Sequence, residues 1–258
     1  MNCEFIELEP LECEAYQTKE VLKILLHSIV FQRALGELKL RDQDSDLFDI
    51  SYVRCDSRAV AQRVDEYAES FSSELETLGN RTAEQYAKSR AQAQAQAGVV
   101  ATSSAAAASS SADTNSPPPR VPAKICVAFF ERRSRPGAFG LFRGEEKVVW
   151  ERWNIVLSVR TPEAPPEPST NVVSMVSSSA AGTAGDAEAR RRQQQQLSEE
   201  VRQRLETILT TASSRKEHIP PADGLCGEAA WFEVTSEAES GGLLDIFKQG
   251  FGRIPRSF

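Results

Sequence analysis

The sequence predicts an α+β fold in which three main helices pack on a mostly antiparallel sheet. Three long segments have helical periodicity, and the segments between them show the alternation or short apolar runs typical of strands. Two of the predicted strands, at 124–133 and 147–160, are consecutive and indicate a hairpin. Three helices are too few, and the hairpin is too prominent, for a doubly wound parallel sheet.

The first part of the chain predicts an opening strand, a buried helix and a second strand. Residues 3–13 indicate a strand that Pro10 interrupts. A helix is expected over 16–35, ending where Gly36 can supply a left-handed cap. Its middle is apolar nearly all round, which indicates a central helix buried on every side. Residues 47–54 alternate between apolar and polar side chains, as a half-buried strand does.

Two more helices complete the predicted helical set. The second follows Ser57, a predicted N-cap, and closes at Gly79. Its apolar stripe consists of Val60, Val64, Tyr67, Phe71, Leu75 and Leu78. The third helix is expected over 188–213.

Among the later strands, the one at 147–160 carries a clear apolar face. A final strand is expected over 229–234. The predicted apolar face consists of Val149, Trp153, Ile155, Leu157 and Val159.

Two segments have a composition that cannot build a core. Residues 88–122 and 161–192 are rich in Ala, Ser and Pro and nearly free of large apolar side chains, so disordered insertions are predicted there. Without them about 190 residues remain, enough for one domain with a substantial core. The prediction is therefore a single domain over 1–258, with a C-terminal tail at 236–258 that contains a short amphipathic helix.

Charge and cysteine content limit the class of partner and the compartment. A net charge of -7 argues against nucleic acid as a partner. No secretory signal is expected, and the most apolar run, at 21–31, is too short for a transmembrane segment. The five cysteines are odd in number, lie far apart and form no CxxC pair, which favours reduced thiols in the cytoplasm.

No residue pattern predicts an enzyme, a metal or a cofactor. The stretch at 140–147 imitates a phosphate-binding loop, but Gly144 is followed by Glu145 where such a loop needs lysine. His27 is interpreted as a hydrogen-bonded core residue, and His218 as part of a turn. Neither has a cysteine or histidine at metal-ligand spacing.

The loop of the predicted hairpin carries three large apolar residues among glycines: Phe139, Leu141 and Phe142. Apolar side chains solve no backbone problem in a loop, so they indicate either a contact with the domain core or a contact with another protein. The core alternative is that a phenylalanine folds back onto Trp150 and closes the hairpin. The nearby basic cluster of Arg132, Arg133 and Arg135 is interpreted as a solvated face.

Several stretches occur together in one known family. They are "MNC" at the start, "VLKILLHSIVFQRALG", "LFDISYVRC", "VVWERW" and "EHIPP", in this order. On these stretches the sequence resembles the autophagy-related protein 101 family, over nearly all of the chain outside the two insertions. The closing "GGLLDIFKQGF" is more similar to plant and algal members than to animal ones.

The resemblance implies a HORMA fold with a C-terminal segment that can act as a belt. It also implies a non-enzymatic adaptor or scaffold subunit of the autophagy-initiating kinase complex. The implied partners are the HORMA domain of autophagy-related protein 13, which such a subunit pairs with and stabilises, and downstream autophagy factors. The implied location is the cytoplasm, with recruitment to the pre-autophagosomal structure.

In relatives, the hairpin loop exposes an adjacent Trp-Phe pair, called a WF finger, that recruits later autophagy factors. Counting back without gaps from Trp150 places this pair on Leu141 and Phe142, whereas a shifted alignment uses Phe139. The tryptophan of this pair is missing from the loop of this chain. The resemblance thus assigns these three residues to a partner-recruiting loop.

The third helix is the candidate surface for the heterodimer. Its stripe gives it more apolar surface than an exposed helix needs, so either part of the stripe meets a partner or all of it covers the sheet. The stripe consists of Leu197, Val201, Leu205, Ile208 and Leu209.

Two alternative functions stay open at this point. One is a HORMA adaptor of chromosome or spindle signalling that captures a peptide. The other is a small enzyme without a recognisable motif, which would need convergent polar groups in a pocket.

Overall fold

The computed structural model describes residues 3–34, 39–100, 120–136, 143–160, 184–220 and 231–238. The elements, in chain order, are β1 (Glu4–Glu7), β2 (Leu11–Glu14), α1 (Ala15–Gln32), β3 (Leu40–Asp44), β4 (Ser51–Cys55), α2 (Arg58–Val100), β5 (Arg120–Pro136), β6 (Arg143–Arg160), α3 (Ala184–Ser214) and β7 (Phe232–Ala238). The predicted α+β class with three helices is confirmed.

The main sheet has the strand order β1-β6-β5-β7 and is mixed. β5 pairs antiparallel with both β6 and β7. β1 and β2 run parallel to β6, one after the other along its free edge, and Pro10 lies between them as predicted. The long pairings of β5 make most of the sheet antiparallel, as expected, but the two short pairings of β1 and β2 with β6 are parallel and were not predicted.

α1 lies at the centre of the fold, and the prediction of a helix buried nearly all round is confirmed. Val21, Ile24 and Ile29 are fully buried, and α1 contacts both other helices. Its predicted end is wrong, since the helix stops at Gln32 and Arg33 is the C-cap, with φ -116. The end is closed by three-residue hydrogen bonds from Arg33 and Ala34 instead of a left-handed glycine. Gly36 lies outside the described residues.

α2 begins where the sequence predicts but continues far beyond its predicted end. The backbone N–H of Val60 donates to Ser57 Oγ at 3.5 Å, which confirms the N-cap. The helix then passes Gly79 and ends at Val100. One glycine costs a helix only about 1 kcal/mol relative to alanine, and the Ala, Gln and Glu residues that follow favour helix.

The predicted insertion boundaries are corrected by the elements that enter them. α2 occupies 88–100, β5 starts at Arg120, and α3 starts at Ala184. At the C-terminal side, residues 236–238 belong to β7 and not to a tail. Residues 101–119, 161–183 and 239–258 lie outside the described residues, and the predicted short terminal helix lies there with them.

The small sheet of β3 and β4 contains the predicted half-buried strand and one strand that was not predicted. Phe48, Ile50 and Tyr52 are buried, as their alternation indicates, but the predicted start of the strand is wrong, since β4 begins at Ser51 and Phe48 and Ile50 precede it. β3, with the sequence LRDQD, pairs antiparallel with β4. It escaped prediction because almost all of its side chains are polar and exposed.

The buried face of β6 follows the predicted alternation from Trp153 to Val159, on the C-terminal side of a bulge. Trp153, Ile155, Leu157 and Val159 are all buried. Val149, predicted on the same face, is only half-buried. The register shifts between Phe129 and Phe130, so the extra residue on β6 moves the alternation out of phase.

Candidate partner-binding hairpin

The β5–β6 hairpin is longer than the sheet that holds it. The two strands pair from Arg120–Arg160 to Pro136–Arg143. β7 pairs with β5 only over 123–129, and β1 pairs with β6 only over 151–154. Within the described residues, the segments 130–136 and 143–149 therefore have only each other as strand partners; we call them the arm.

The three predicted loop residues lie between the two strands of the arm. Phe139, Leu141 and Phe142 fall at 137–142, outside the described residues. Of the basic cluster, Arg132 and Arg133 are exposed, and Arg133 forms an ion pair with Glu131. The side chain of Arg135 is outside the described part of the structure.

An aromatic cluster fills the base of the arm. The Phe129 ring lies 5.5 Å from that of Trp150, 5.7 Å from Trp231 and 6.4 Å from Phe232. Trp150 is the extra residue of the bulge, and its ring also lies 5.8 Å from that of His218. Rings at these separations are in the favourable range for aromatic pairs, so the arm starts from a rigid base.

On the other side of the base, Lys147 fixes the arm to β7. Its Nζ lies 4.1 Å from the centroid of the Phe130 ring and forms an ion pair with Glu233. The backbone N–H of Phe130 also donates to Trp231 O at 3.0 Å. These contacts hold the first residues of the arm in one orientation.

Directly below the bulge, β6 carries a buried carboxylate that sequence reasoning missed. Glu151 is fully buried, and Arg33 Nε donates to its two oxygens at 2.8 and 2.9 Å. Trp153 Nε1 donates to Glu151 Oε1, and His218 Nε2 lies within hydrogen-bond distance of Glu151 Oε2. The carboxylate is thus surrounded by partners, as a buried charge must be.

The guanidinium of Arg33 also closes the end of α3. Its Nη1 donates to Ala212 O and its Nη2 to Arg215 O, each at 3.0 Å. These carbonyls lie at the helix C-terminus, where backbone oxygens lack intrahelical partners. We call Arg33, Glu151 and His218 the charged clasp, because they join the end of α1, strand β6 and the turn after α3.

The clasp brings together two of the stretches that carry the family resemblance. Glu151 lies in "VVWERW" and His218 in "EHIPP". The available signal was the strand alternation, which places Glu151 on the same face as the buried Trp153. A carboxylate on such a face requires a buried cation nearby.

The apolar stripe of α3 mostly covers the core of this chain. Leu197, Val201 and Ile208 are buried, and Leu205 is partly buried against the same core. Leu209 is the member left at the surface, with 51% of its area exposed. Most of the stripe thus packs inside, and Leu209 is the member that a partner can reach without opening the core, so the heterodimer role of α3 stays a prediction.

His27 is a core residue, as interpreted. Its side chain is 2% exposed, its ring stacks on Tyr52, and its Nε2 lies 3.6 Å from Asp65 Oδ1. Burial lowers the pKa of His27 to about 4, although Asp65 opposes this shift. Among the described residues no group of histidine, cysteine and carboxylate side chains has a geometry that could hold a metal ion.

Fold and hairpin together define a class: an α+β domain with three helices and a mixed sheet whose β5–β6 hairpin pairs beyond its neighbouring strands. No helix in the described ranges has the length and apolar character needed to cross a membrane.

Comparison with known proteins identifies the family. Residues 10–224 match the profile of the family described as Autophagy-related protein 101. The chain is also 28% identical over 251 residues to Autophagy-related protein 101 of Arabidopsis thaliana, covering 96% of this chain and 95% of that protein. The chain belongs to the autophagy-related protein 101 family, and this membership supports a role in autophagy.

Proposed function

We propose that this protein is a non-enzymatic adaptor of the autophagy-initiating kinase complex. In this proposal it adopts a HORMA-type fold, pairs with and stabilises the HORMA domain of autophagy-related protein 13, and recruits downstream autophagy factors through the hairpin loop. It acts in the cytoplasm and is recruited to the pre-autophagosomal structure. Family membership supports the role in autophagy, and the arm supports recruitment through the hairpin loop.

The observation that carries the recruiting role is the pairing of the arm beyond its neighbours in the sheet. A stiff two-stranded arm anchored on Phe129 and Lys147 holds the residues between its strands at a defined place. Trp150 already has ring partners in Phe129 and His218, which favours a partner over Trp150 as the target of the loop phenylalanines. Burying one phenylalanine contributes about 1.5–3 kcal/mol, so two or three apolar side chains suit weak, transient capture.

For the pairing role, α3 offers less apolar surface than its sequence indicates. Leu209 is the exposed member of its stripe, and the buried members cannot reach a partner without opening the core. Pairing through α3 would therefore use Leu209 together with polar neighbours. A partner that binds only the folded form raises its stability by mass action.

The test of the recruiting loop is a double substitution, Leu141→Ala with Phe142→Ala. We expect the melting temperature to stay within about 2 °C of the wild type, because in this proposal the two side chains contact a partner and not the core. Recruitment of downstream autophagy factors, measured by pull-down from cell extract and mass spectrometry, should be lost. Autophagosome formation should fall with it.

Two controls sharpen this test. Phe139→Ala separates the two alignments of the loop, and Phe5→Ala removes a phenylalanine that is 59% exposed on β1, opposite Arg152 and outside the arm. Phe5→Ala should retain recruitment. A fall of several degrees in melting temperature with recruitment intact would instead make the loop a structural closure of the hairpin.

A further inference from the structure

A cavity of about 690 Å³ lies between the small β3–β4 sheet and the start of α2. Its cationic wall consists of Arg41 from β3, Arg54 from β4 and Arg58 from the first turn of α2. None of these three arginines forms an ion pair with another described residue. Nε of Arg54 is buried and has no hydrogen-bond partner among the described residues. The wall thus has unused donors.

The positions of these arginines are unfavourable for folding. Arg41 and Arg54 face each other directly across the antiparallel pair, where like charges are destabilising. Arg58 lies in the first turn of α2, which contains no acidic residue, and a cation at this end opposes the helix dipole. Asp56 also lines the cavity, but it forms no ion pair with any of the three within the described part of the chain, so an anion that neutralises them explains these placements.

The cavity is also lined by four carboxylates. Asp56 lies between β4 and α2, and Asp65, Glu66 and Glu69 follow Arg58 along α2. Two of them already have partners, since Asp65 lies 3.9 Å from Lys23 Nζ and Glu69 forms an ion pair with Lys19. Glu66 Oε1 accepts a hydrogen bond from the neutral amide of Gln62, with Nε2 at 2.9 Å, and has no cationic partner among the described residues. It is therefore the carboxylate most available to a cationic ligand group.

We propose that this cavity binds a phosphorylated serine or threonine in a segment of a partner protein, with a basic residue a few positions away. Three guanidinium groups offer more donors than one carboxylate can accept, and they match the geometry of a phosphate. Arg58 and Glu66 are about 12 Å apart along α2, at a rise of 1.5 Å per residue. An extended peptide covers that distance in about four residues.

The lining also argues against a nucleotide. None of the residues that line the cavity is aromatic, so a base would have no ring to stack on. The four carboxylates of the lining would repel a polyphosphate chain. A short peptide with one phosphate and one basic side chain can pair with both the arginines and a free carboxylate. The proposal is independent of the role of the hairpin loop.

The test is titration of the full chain with a labelled synthetic peptide that carries phosphoserine and, four positions later, arginine. We expect it to bind at least about tenfold tighter than the same peptide with serine, because charge-assisted hydrogen bonds dominate the contact. Inorganic phosphate should compete with it. Equal binding of the serine and phosphoserine peptides would overturn the proposal.

Matched variants separate a site from general charge attraction. Arg41→Gln with Arg54→Gln should weaken phosphopeptide binding about tenfold or more. Arg190→Gln with Arg192→Gln makes the same change in net charge on the exposed face of α3 and should leave binding unchanged. Equal losses in both double variants would show non-specific attraction and contradict the site.

Two further measurements keep the proposal testable if the first double variant folds poorly. Arg41→Gln alone, at an exposed position, should not lower the melting temperature, because it removes like-charge repulsion, yet it should weaken phosphopeptide binding. Glu66→Gln should weaken the arginine-containing phosphopeptide but not its alanine counterpart. An Arg41→Gln variant that is destabilised and binds normally would assign the arginines a structural role.

Discussion

The protein contains two histidines, each beside a carboxylate, and the two sites differ in which partner is buried. In the charged clasp the carboxylate Glu151 is fully buried, and Arg33 balances its charge. At the other site His27 is buried, whereas Asp65 keeps 43% of its side chain exposed. The comparison shows that the same residue pair has different consequences, because the group that loses its water determines what must compensate.

Removing the buried carboxylate should produce the largest effect. Glu151→Ala leaves Arg33 and Trp153 Nε1 without their acceptor, and breaking a buried charge pair costs about 3–5 kcal/mol. Urea unfolding of the full chain measures this loss. Glu151→Gln keeps the volume and one acceptor oxygen but leaves Arg33 without its counter-charge, so it should recover only part of this loss. A loss below about 1 kcal/mol for Glu151→Ala would show that the clasp contributes little.

Lowering the pH should reduce the stability of the fold mainly through the His27 site. The pKa of His27 is lowered to about 4 in the fold by burial, while Asp65 opposes the shift and Arg54 and Lys23 add to it. Between pH 6.5 and pH 4 the unfolded chain therefore binds a proton that the folded chain does not. Stability should fall by up to about 3 kcal/mol as the pH drops through this window, and no further from this group below it.

The control for the pH effect is His27→Gln, which keeps a polar group but cannot be protonated. Its free energy of unfolding, measured by urea at a series of pH values, should change less across the same window. An unchanged pH slope in this variant would exclude His27 as the source.

The smallest effect is expected from the exposed carboxylate. Asp65→Asn removes a group that is 3.6 Å from His27 and 3.9 Å from Lys23, but this group retains much of its hydration. At pH 7 the loss should be below about 1 kcal/mol, as for other exposed pairs. Because Asp65 raises the pKa of His27, the variant should remain sensitive to acid. A loss as large as that of Glu151→Ala would invalidate the distinction between the two sites.

The sequence predicts those parts of the fold in which one residue type repeats along an element. α1 is recognisable because its own side chains are apolar nearly all round. β6 is recognisable because large apolar residues, Trp153, Ile155 and Leu157, recur at every second position. The end of α2 was missed because the cost of Gly79 is smaller than the preference of the residues after it. β3 was missed because a polar strand has no apolar period.

The sites were harder to predict because they join distant residues. Arg33 and Glu151 each look like a surface charge when read alone, and only the folded chain shows that they are 2.8 Å apart. The arginines of the cavity come from three different elements. The loop at Phe139, Leu141 and Phe142 was assigned by resemblance, and it stays a prediction because those residues lie outside the described part of the structure.

The charged clasp has a consequence for how this sequence can change over generations. Arg33 and Glu151 are 118 positions apart, and Glu151 and His218 are 67 apart, yet they share one charge balance. A mutation that neutralises one member leaves an uncompensated charge in the interior, so it survives only if the other changes soon after. Lineages should therefore keep or replace Arg33 and Glu151 together, whereas His218, which is 17% exposed, can drift more freely.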